Sequence, residues 1–137
     1  MLVYVDSSAA LRVALGAPNR LREWGSITRG VSSRLLGLEC LRFVDRERLR
    51  LGLDDAGFVD RREAIYRILG DIEIIPVTDQ VLERASQPFP SSLGSLDSIH
   101  LASALLWQQS EGESLSFATH DGELSQAARA MGFKVLG

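Results

Sequence analysis

The chain has 137 residues, enough for one domain with a hydrophobic core, and its 45% hydrophobic and 24% charged residues are ordinary for a globular protein. Its single cysteine, Cys40, excludes an internal disulfide and a zinc site built from several cysteines. The net charge of −3 argues against a general nucleic-acid binder, and no apolar run is long enough to span a membrane or form a signal-peptide core, so we expect a cytoplasmic protein.

In chain order, short apolar runs alternate with stretches of helical periodicity. Runs rich in β-branched and aromatic residues predict strands at Leu2–Val5, Ile27–Val31, Ile72–Val77, Leu115–Ala118 and Phe133–Leu136. Capping residues and glycine stops predict helices at residues 6–15, 19–24, 34–50, 55–69, 79–86, 95–109 and 121–131. Strands that alternate with helices predict an α/β fold: one domain over residues 1–137, with a mostly parallel central sheet flanked by helices.

Three aspartates stand where such a fold exposes side chains at the carboxyl edge of its sheet, which is where these folds bind ligands. Asp6 follows the first predicted strand, Asp121 follows the fourth, and Asp97 begins a helix after a long loop. Each of them, taken alone, is also explained as a helix cap. Two hydroxyl residues, Ser7 and Thr119, accompany them and can either orient carboxylates or serve in turns and caps.

Glu39 occupies the apolar face of a predicted helix. Leu35, Leu36 and Phe43 lie one turn away on the same face. A carboxylate in that position needs a partner, either a salt bridge such as one to Arg42 or a metal ion.

The four acids together predict a shared site. Converging carboxylates repel one another unless a cation neutralises them, and hard oxygen ligands suit Mg²⁺ or Mn²⁺. Such ions bind phosphate oxygens and activate water, which is the chemistry of phosphodiester hydrolysis. The histidines, His100 and His120, form no zinc motif, and packing within its helix is the simpler interpretation of His100.

The positive charge is concentrated in one part of the chain. Residues 20–67 contain 11 arginines against 8 acids, whereas the remainder has 4 basic residues against 10 acids. Arginine binds phosphate through its planar fork, so this surplus is compatible with an RNA-binding surface. A pair of solvated, salt-bridged helices explains it equally well.

The chain resembles the PIN-domain family, and specifically the VapC-type toxins. Four stretches carry the resemblance over nearly the whole chain: residues 2–11 (LVYVDSSAAL), 32–42 (SSRLLGLECLR), 96–104 (LDSIHLASA) and 117–121 (FATHD).

The resemblance implies a metal-dependent endoribonuclease that acts as the toxin of a toxin–antitoxin pair. Asp6, Glu39, Asp97 and Asp121 would then surround one or two Mg²⁺ or Mn²⁺ ions, with Thr119 supporting the site. It also implies a homodimer, an RNA substrate and inhibition by a cognate antitoxin that covers the groove. Many members carry a further acid near the third one, where this chain has Ser98 and His100.

Three other interpretations remain open. Phosphohydrolases with an aspartate nucleophile carry a second aspartate two residues on, where this chain has Ser8. The acids could instead be caps and salt bridges in a non-catalytic α/β interaction module. A PIN-like nuclease could also cleave DNA or act in RNA processing.

Overall fold

The computed structural model describes residues 1–137 and contains five strands in one sheet. The strands β1 to β5 are Leu2–Val5, Arg29–Ser33, Ile72–Ile75, Ser116–Ala118 and Lys134–Leu136. They lie in the order β3-β2-β1-β4-β5, and all four pairings are parallel. The predicted α/β fold with a parallel central sheet is confirmed.

Six α-helices and one short 3₁₀ helix connect the strands. Helices α1 to α6 are Ser7–Ala14, Leu35–Leu51, Asp55–Gly70, Asp79–Ala85, Ser95–Glu111 and Gly122–Ala130. Four of them begin where a side chain accepts a hydrogen bond from a backbone N–H of the first turn, at Asp6, Asp54, Thr78 and Asp121. None of the helices has the length and apolar character that crossing a membrane requires.

The sheet is covered by helices on both faces because its strands are apolar on both sides. Side chains alternate along β1: Val3 and Val5 pack with residues of α1, α2 and α3, whereas Tyr4 packs with residues of α5 and α6. Two buried clusters therefore sandwich the sheet, and the carboxyl ends of the strands are left at one edge.

The structure differs from the sequence prediction between β1 and α2. The helix predicted over residues 19–24 is wrong: a 3₁₀ helix occupies Arg22–Ser26 instead. Leu21 before it has an extended ψ of 121° and a buried side chain, which prevents a helix from continuing through it. Strand β2 begins two residues later than predicted and includes Ser32 and Ser33, which are fully buried.

Candidate active site

Strands β1 and β4 are neighbours in the sheet although most of the chain separates them in sequence. The chain moves outward from β1 to β3 and then crosses back to β4, so the order reverses between β1 and β4. Ligands of parallel α/β sheets bind at the carboxyl ends of strands beside such a reversal. Asp6 follows β1 here and Asp121 follows β4, and the backbone N–H of Asp6 bonds to the carbonyl of Ala118 at 3.1 Å.

Asp6 is 2% exposed and accepts hydrogen bonds at both carboxylate oxygens. Oδ1 accepts from the Ala9 N–H at 3.0 Å and from the Ser8 hydroxyl at 2.7 Å, while Oδ2 accepts from the Thr119 hydroxyl at 2.6 Å. Burial raises the pKa of Asp6 above its ordinary value, and these hydrogen bonds, with Thr119 the largest contributor, offset part of the shift. The cap interpretation of Asp6 is thus correct for one oxygen and incomplete for the other.

Ser8 and Thr119 join the turn after β1 to the turn after β4. The hydroxyl of Ser8 also accepts the His120 N–H at 2.9 Å, and that of Thr119 accepts the Asp121 N–H at 3.0 Å. Since each hydroxyl hydrogen points at Asp6, the two turns and the carboxylate are fixed as one unit. Asp121 itself caps α6 by accepting the Leu124 N–H at 2.8 Å.

Asp97 lies in the first turn of α5 and is half-buried. Burial raises its pKa to about 6, and the negative charge of Asp121 adds to the shift. The charges of Asp6 and Glu39 act in the same direction. The negative charges of the other three predicted acids therefore all act on Asp97.

Glu39 points from α2 toward the same edge of the sheet, with its side chain 18% exposed. Its partner is not Arg42, which pairs with Asp45 at 3.0 Å. Instead Oε1 accepts a hydrogen bond from His100 Nε2 at 2.5 Å, and Oε2 accepts one from the Ser7 hydroxyl at 3.3 Å. The inward orientation predicted for Glu39 is therefore correct, and the alternative of a salt bridge to Arg42 is not realised.

The donor set fits a hard divalent cation in its chemistry. As the side chains stand, no group of three or more His, Cys, Asp or Glu residues is arranged to hold one ion. Carboxylate oxygens are the ligands that Mg²⁺ and Mn²⁺ prefer, and ligation of such an ion by these four acids stays a prediction.

A cleft of about 380 Å³ opens beside Glu39. Its walls combine hydroxyl and acidic groups of the site with apolar and cationic side chains of α2: Ser7, Ser8, Leu38, Glu39, Arg42, Phe43 and Arg46. A polymer with a phosphate backbone that enters this cleft would place its negative charge near the guanidinium groups of Arg42 and Arg46.

Sequence reasoning missed Ser8 and gave too little weight to His100. Ser8 has a signal in its spacing, because it lies two residues after the strand-end aspartate and its hydroxyl reaches that carboxylate. His100 has none, since its contact with Glu39 spans 61 positions between two helices.

Comparison with known proteins places this geometry in context. The sequence model of the PIN domain matches residues 3–130. Ribonuclease VapC47 of Mycobacterium tuberculosis is 30% identical over 96% of this chain and 93% of its own length, and ribonuclease VapC46 of the same species is 32% identical over 98% and 95%. Among solved structures, a toxin–antitoxin complex from Klebsiella pneumoniae superposes with a TM-score of 0.68 at 14% identity, over 98% of this chain and 96% of the other. M. tuberculosis VapC20, a sarcin–ricin-loop-cleaving toxin, has a TM-score of 0.65 at 17% identity, over 98% and 99%. Because these sequence identities are low, the solved structures support the fold only.

Proposed function

The chain belongs to the PIN-domain family, and from that premise we propose that it is an endoribonuclease that acts as the toxin of a toxin–antitoxin pair. Two relatives that align with this chain over 93% and 95% of their own length are named ribonucleases, which supports the proposed reaction class. The observation that carries the proposal within this chain is the pairing of β1 with β4, which brings the turns of Asp6 and Asp121 together at the carboxyl edge of the sheet, joined through the Thr119 hydroxyl. Burial raises the pKa of Asp97, and the negative charges of Asp121, Asp6 and Glu39 add to that shift. Such a concentration of carboxylates at the carboxyl edge of a parallel sheet suits metal-assisted phosphodiester hydrolysis.

The proposed ligands of Mg²⁺ or Mn²⁺ are Asp6, Glu39, Asp97 and Asp121. When bound, the ion supplies Lewis-acid stabilisation of the phosphate charge and activates water for attack on phosphorus. Thr119 and Ser8 hold the Asp6 carboxylate in one orientation, and Ser7 donates to Glu39. Ligating carboxylates need such partners, because rotation of the carboxylate weakens its grip on the ion.

The proposed partners follow from the toxin assignment. We expect residues 1–137 to act as one nuclease domain in the cytoplasm, as a homodimer, on an RNA substrate. A cognate antitoxin would inhibit it by covering the cleft beside Glu39, whose exposed Leu38 and charged Arg42 offer apolar and ionic contacts.

The test is cleavage of a labelled structured RNA by the purified protein in Mn²⁺, in Mg²⁺ and in EDTA. Asp97→Asn is the informative variant, because it keeps the size of the side chain and removes its charge. Asp79→Asn is the matched control: Asp79 also lies in the first turn of a helix, α4, and is exposed outside the site.

We expect cleavage that depends on the metal ion, is lost in D97N and is unchanged in D79N. Transition-state contacts of this kind are worth at least about 10²-fold in rate. If the wild type and D97N behave alike with every ion and several RNAs, the carboxylates are structural and the proposal fails.

A further inference from the structure

A buried chain of hydrogen bonds runs from the centre of the sheet to Glu39. It begins at the backbone N–H of Ser33, which donates to the hydroxyl of Tyr4 at 3.1 Å. Tyr4 Oη lies 2.7 Å from Nδ1 of His100, and Nε2 of His100 lies 2.5 Å from Oε1 of Glu39. Tyr4 is fully buried and His100 is 1% exposed, so water is excluded from the contact between them.

The donors and acceptors along this chain can be assigned. An ionised carboxylate only accepts, so Nε2 of His100 carries a hydrogen and donates it to Glu39. Burial raises the pKa of Tyr4 far above its ordinary value, so its hydroxyl keeps its hydrogen. Donation of that hydrogen to Nδ1 matches the tautomer whose Nε2–H donates to Glu39.

Tyr4 and His100 are themselves held rigidly. Tyr4 stacks on Phe117 of β4 with ring centroids 5.0 Å apart, and the rings of Tyr4 and His100 meet edge to face at 5.8 Å. Glu39, in contrast, is a long side chain with three rotatable bonds at the rim of the cleft. The rigid pair therefore restricts the flexible carboxylate.

We propose that His100 is a positioning residue whose Nε2–H, oriented by Tyr4, holds the Glu39 carboxylate ready to ligate the divalent ion. This inference rests on the proposed nuclease function and on Glu39 as one of its ligands. A carboxylate has about four acceptor sites, so the bonds from His100 and Ser7 leave room for an ion. Groups that hold a metal ligand in place raise the affinity for the metal without contacting it.

The experiment measures Mn²⁺ affinity by calorimetry without RNA, and the Mn²⁺ concentration that gives half-maximal cleavage. His100→Leu removes the donor, whereas His100→Gln keeps an N–H donor at a similar reach. Leu101→Ala is the control for destabilisation. Leu101 is buried in the same helix, but it packs in the core cluster between the sheet and helices α5 and α6.

We expect H100L to bind Mn²⁺ about 10- to 100-fold more weakly, with an unchanged KM for RNA at saturating Mn²⁺. H100Q should stay within about threefold of the wild type because it restores the donor. L101A should melt at a lower temperature and keep its Mn²⁺ affinity.

Two results would overturn the proposal: wild-type affinity in folded H100L, or an equal loss in H100L and H100Q, which would assign the effect to the ring shape. If H100L does not fold, nitrogen NMR of the imidazoles provides the test, because His100 and His120 are the only histidines. The wild type should show its hydrogen on Nε2 of His100, and Tyr4→Phe should reduce that preference; an unchanged spectrum would contradict the assignment. A wild type that neither binds Mn²⁺ nor cleaves RNA would instead refute the nuclease function itself.

Discussion

Asp97 lies half-buried in the first turn of α5, where burial and the charge of Asp121 raise its pKa from the ordinary 3.8 to about 6. A raised carboxyl pKa means that the folded state favours the protonated form. The contribution of Asp97 to stability is thus fully present below about pH 4 and is lost as the pH rises through 6. At neutral pH the ionised side chain therefore destabilises the metal-free protein.

We predict that D97N is more stable than the wild type in EDTA at about pH 7.5, and that the difference disappears below about pH 3.8. The expected gain is about 1 kcal/mol, less than the full shift implies because water screens a half-exposed group. Saturating Mn²⁺ should reverse the order, since about 100 Kd of ion adds about 2.7 kcal/mol to the wild type. Urea unfolding at the two pH values, with and without Mn²⁺, measures both effects. A less stable D97N at neutral pH would show that the charge of Asp97 is stabilising.

Asp121 and Asp54 form a natural matched pair. Each caps a helix by accepting, through Oδ1, an N–H three residues on at 2.8 Å, but only Asp121 adds charge to the acidic site. Asparagine caps as well as aspartate, so D121N and D54N should unfold within about 0.5 kcal/mol of the wild type. We predict that RNA cleavage falls at least about 100-fold in D121N and is unchanged in D54N. Equal activities in the two variants would mean that Asp121 serves only as a helix cap.

At the scale of elements, the site depends on holding two strand–helix turns together. The Ser8 hydroxyl connects the turns by donating to Asp6 and accepting from His120, whereas the neighbouring Ser7 makes a single 3.3 Å bond to Glu39. We predict that Ser8→Ala lowers the free energy of unfolding by about 1–3 kcal/mol, because it leaves the part-buried His120 N–H without its acceptor and removes a donor to the buried Asp6 carboxylate. Ser7→Ala should cost less than about 1 kcal/mol. Denaturant unfolding of both variants decides this, and equal losses would contradict the connecting role of Ser8.

The elements were predictable from the sequence where the local pattern is strong. Strand β1, the caps at Asp6 and Asp121, and the inward face of α2 at Glu39 follow from periodicity and capping chemistry. The predicted strand ends at Val31, two residues before the end of β2, because Ser32 and Ser33 are polar. They are buried in the strand because the Ser32 hydroxyl donates to the Val5 carbonyl at 2.6 Å and the Ser33 hydroxyl accepts the Leu35 N–H at 3.1 Å.

Contacts between distant helices were not predictable in the same way. The bond between Glu39 and His100 depends on how α2 and α5 pack across the carboxyl ends of the strands. No spacing within either helix encodes that packing. The sequence alone therefore places the acids at the edge of the sheet, but it does not identify the groups that hold them in position.

At the scale of the whole molecule, the arginine surplus of residues 20–67 is divided between two uses. Part of it is neutralised along α2, where Arg42 and Arg48 pair with Asp45, and Arg50 pairs with Glu47. Arg46 forms no ion pair and lines the cleft beside Glu39. An unpaired guanidinium at that place is suited to the phosphates that flank the scissile bond.

We predict that Arg46→Gln weakens RNA binding and makes it less dependent on salt. The slope of log affinity against log salt should fall by about 0.7–0.9, the loss of one phosphate contact. Arg50→Gln is the matched control: Arg50 lies on the same helix, is 67% exposed outside the cleft and carries the same charge. Because both variants have the same net charge, any difference in slope reports the position and pairing of the guanidinium group rather than total charge. Binding titrations at several salt concentrations in EDTA, where RNA is not cleaved, measure it. Identical slopes for R46Q and R50Q would mean that the RNA follows another path across the surface.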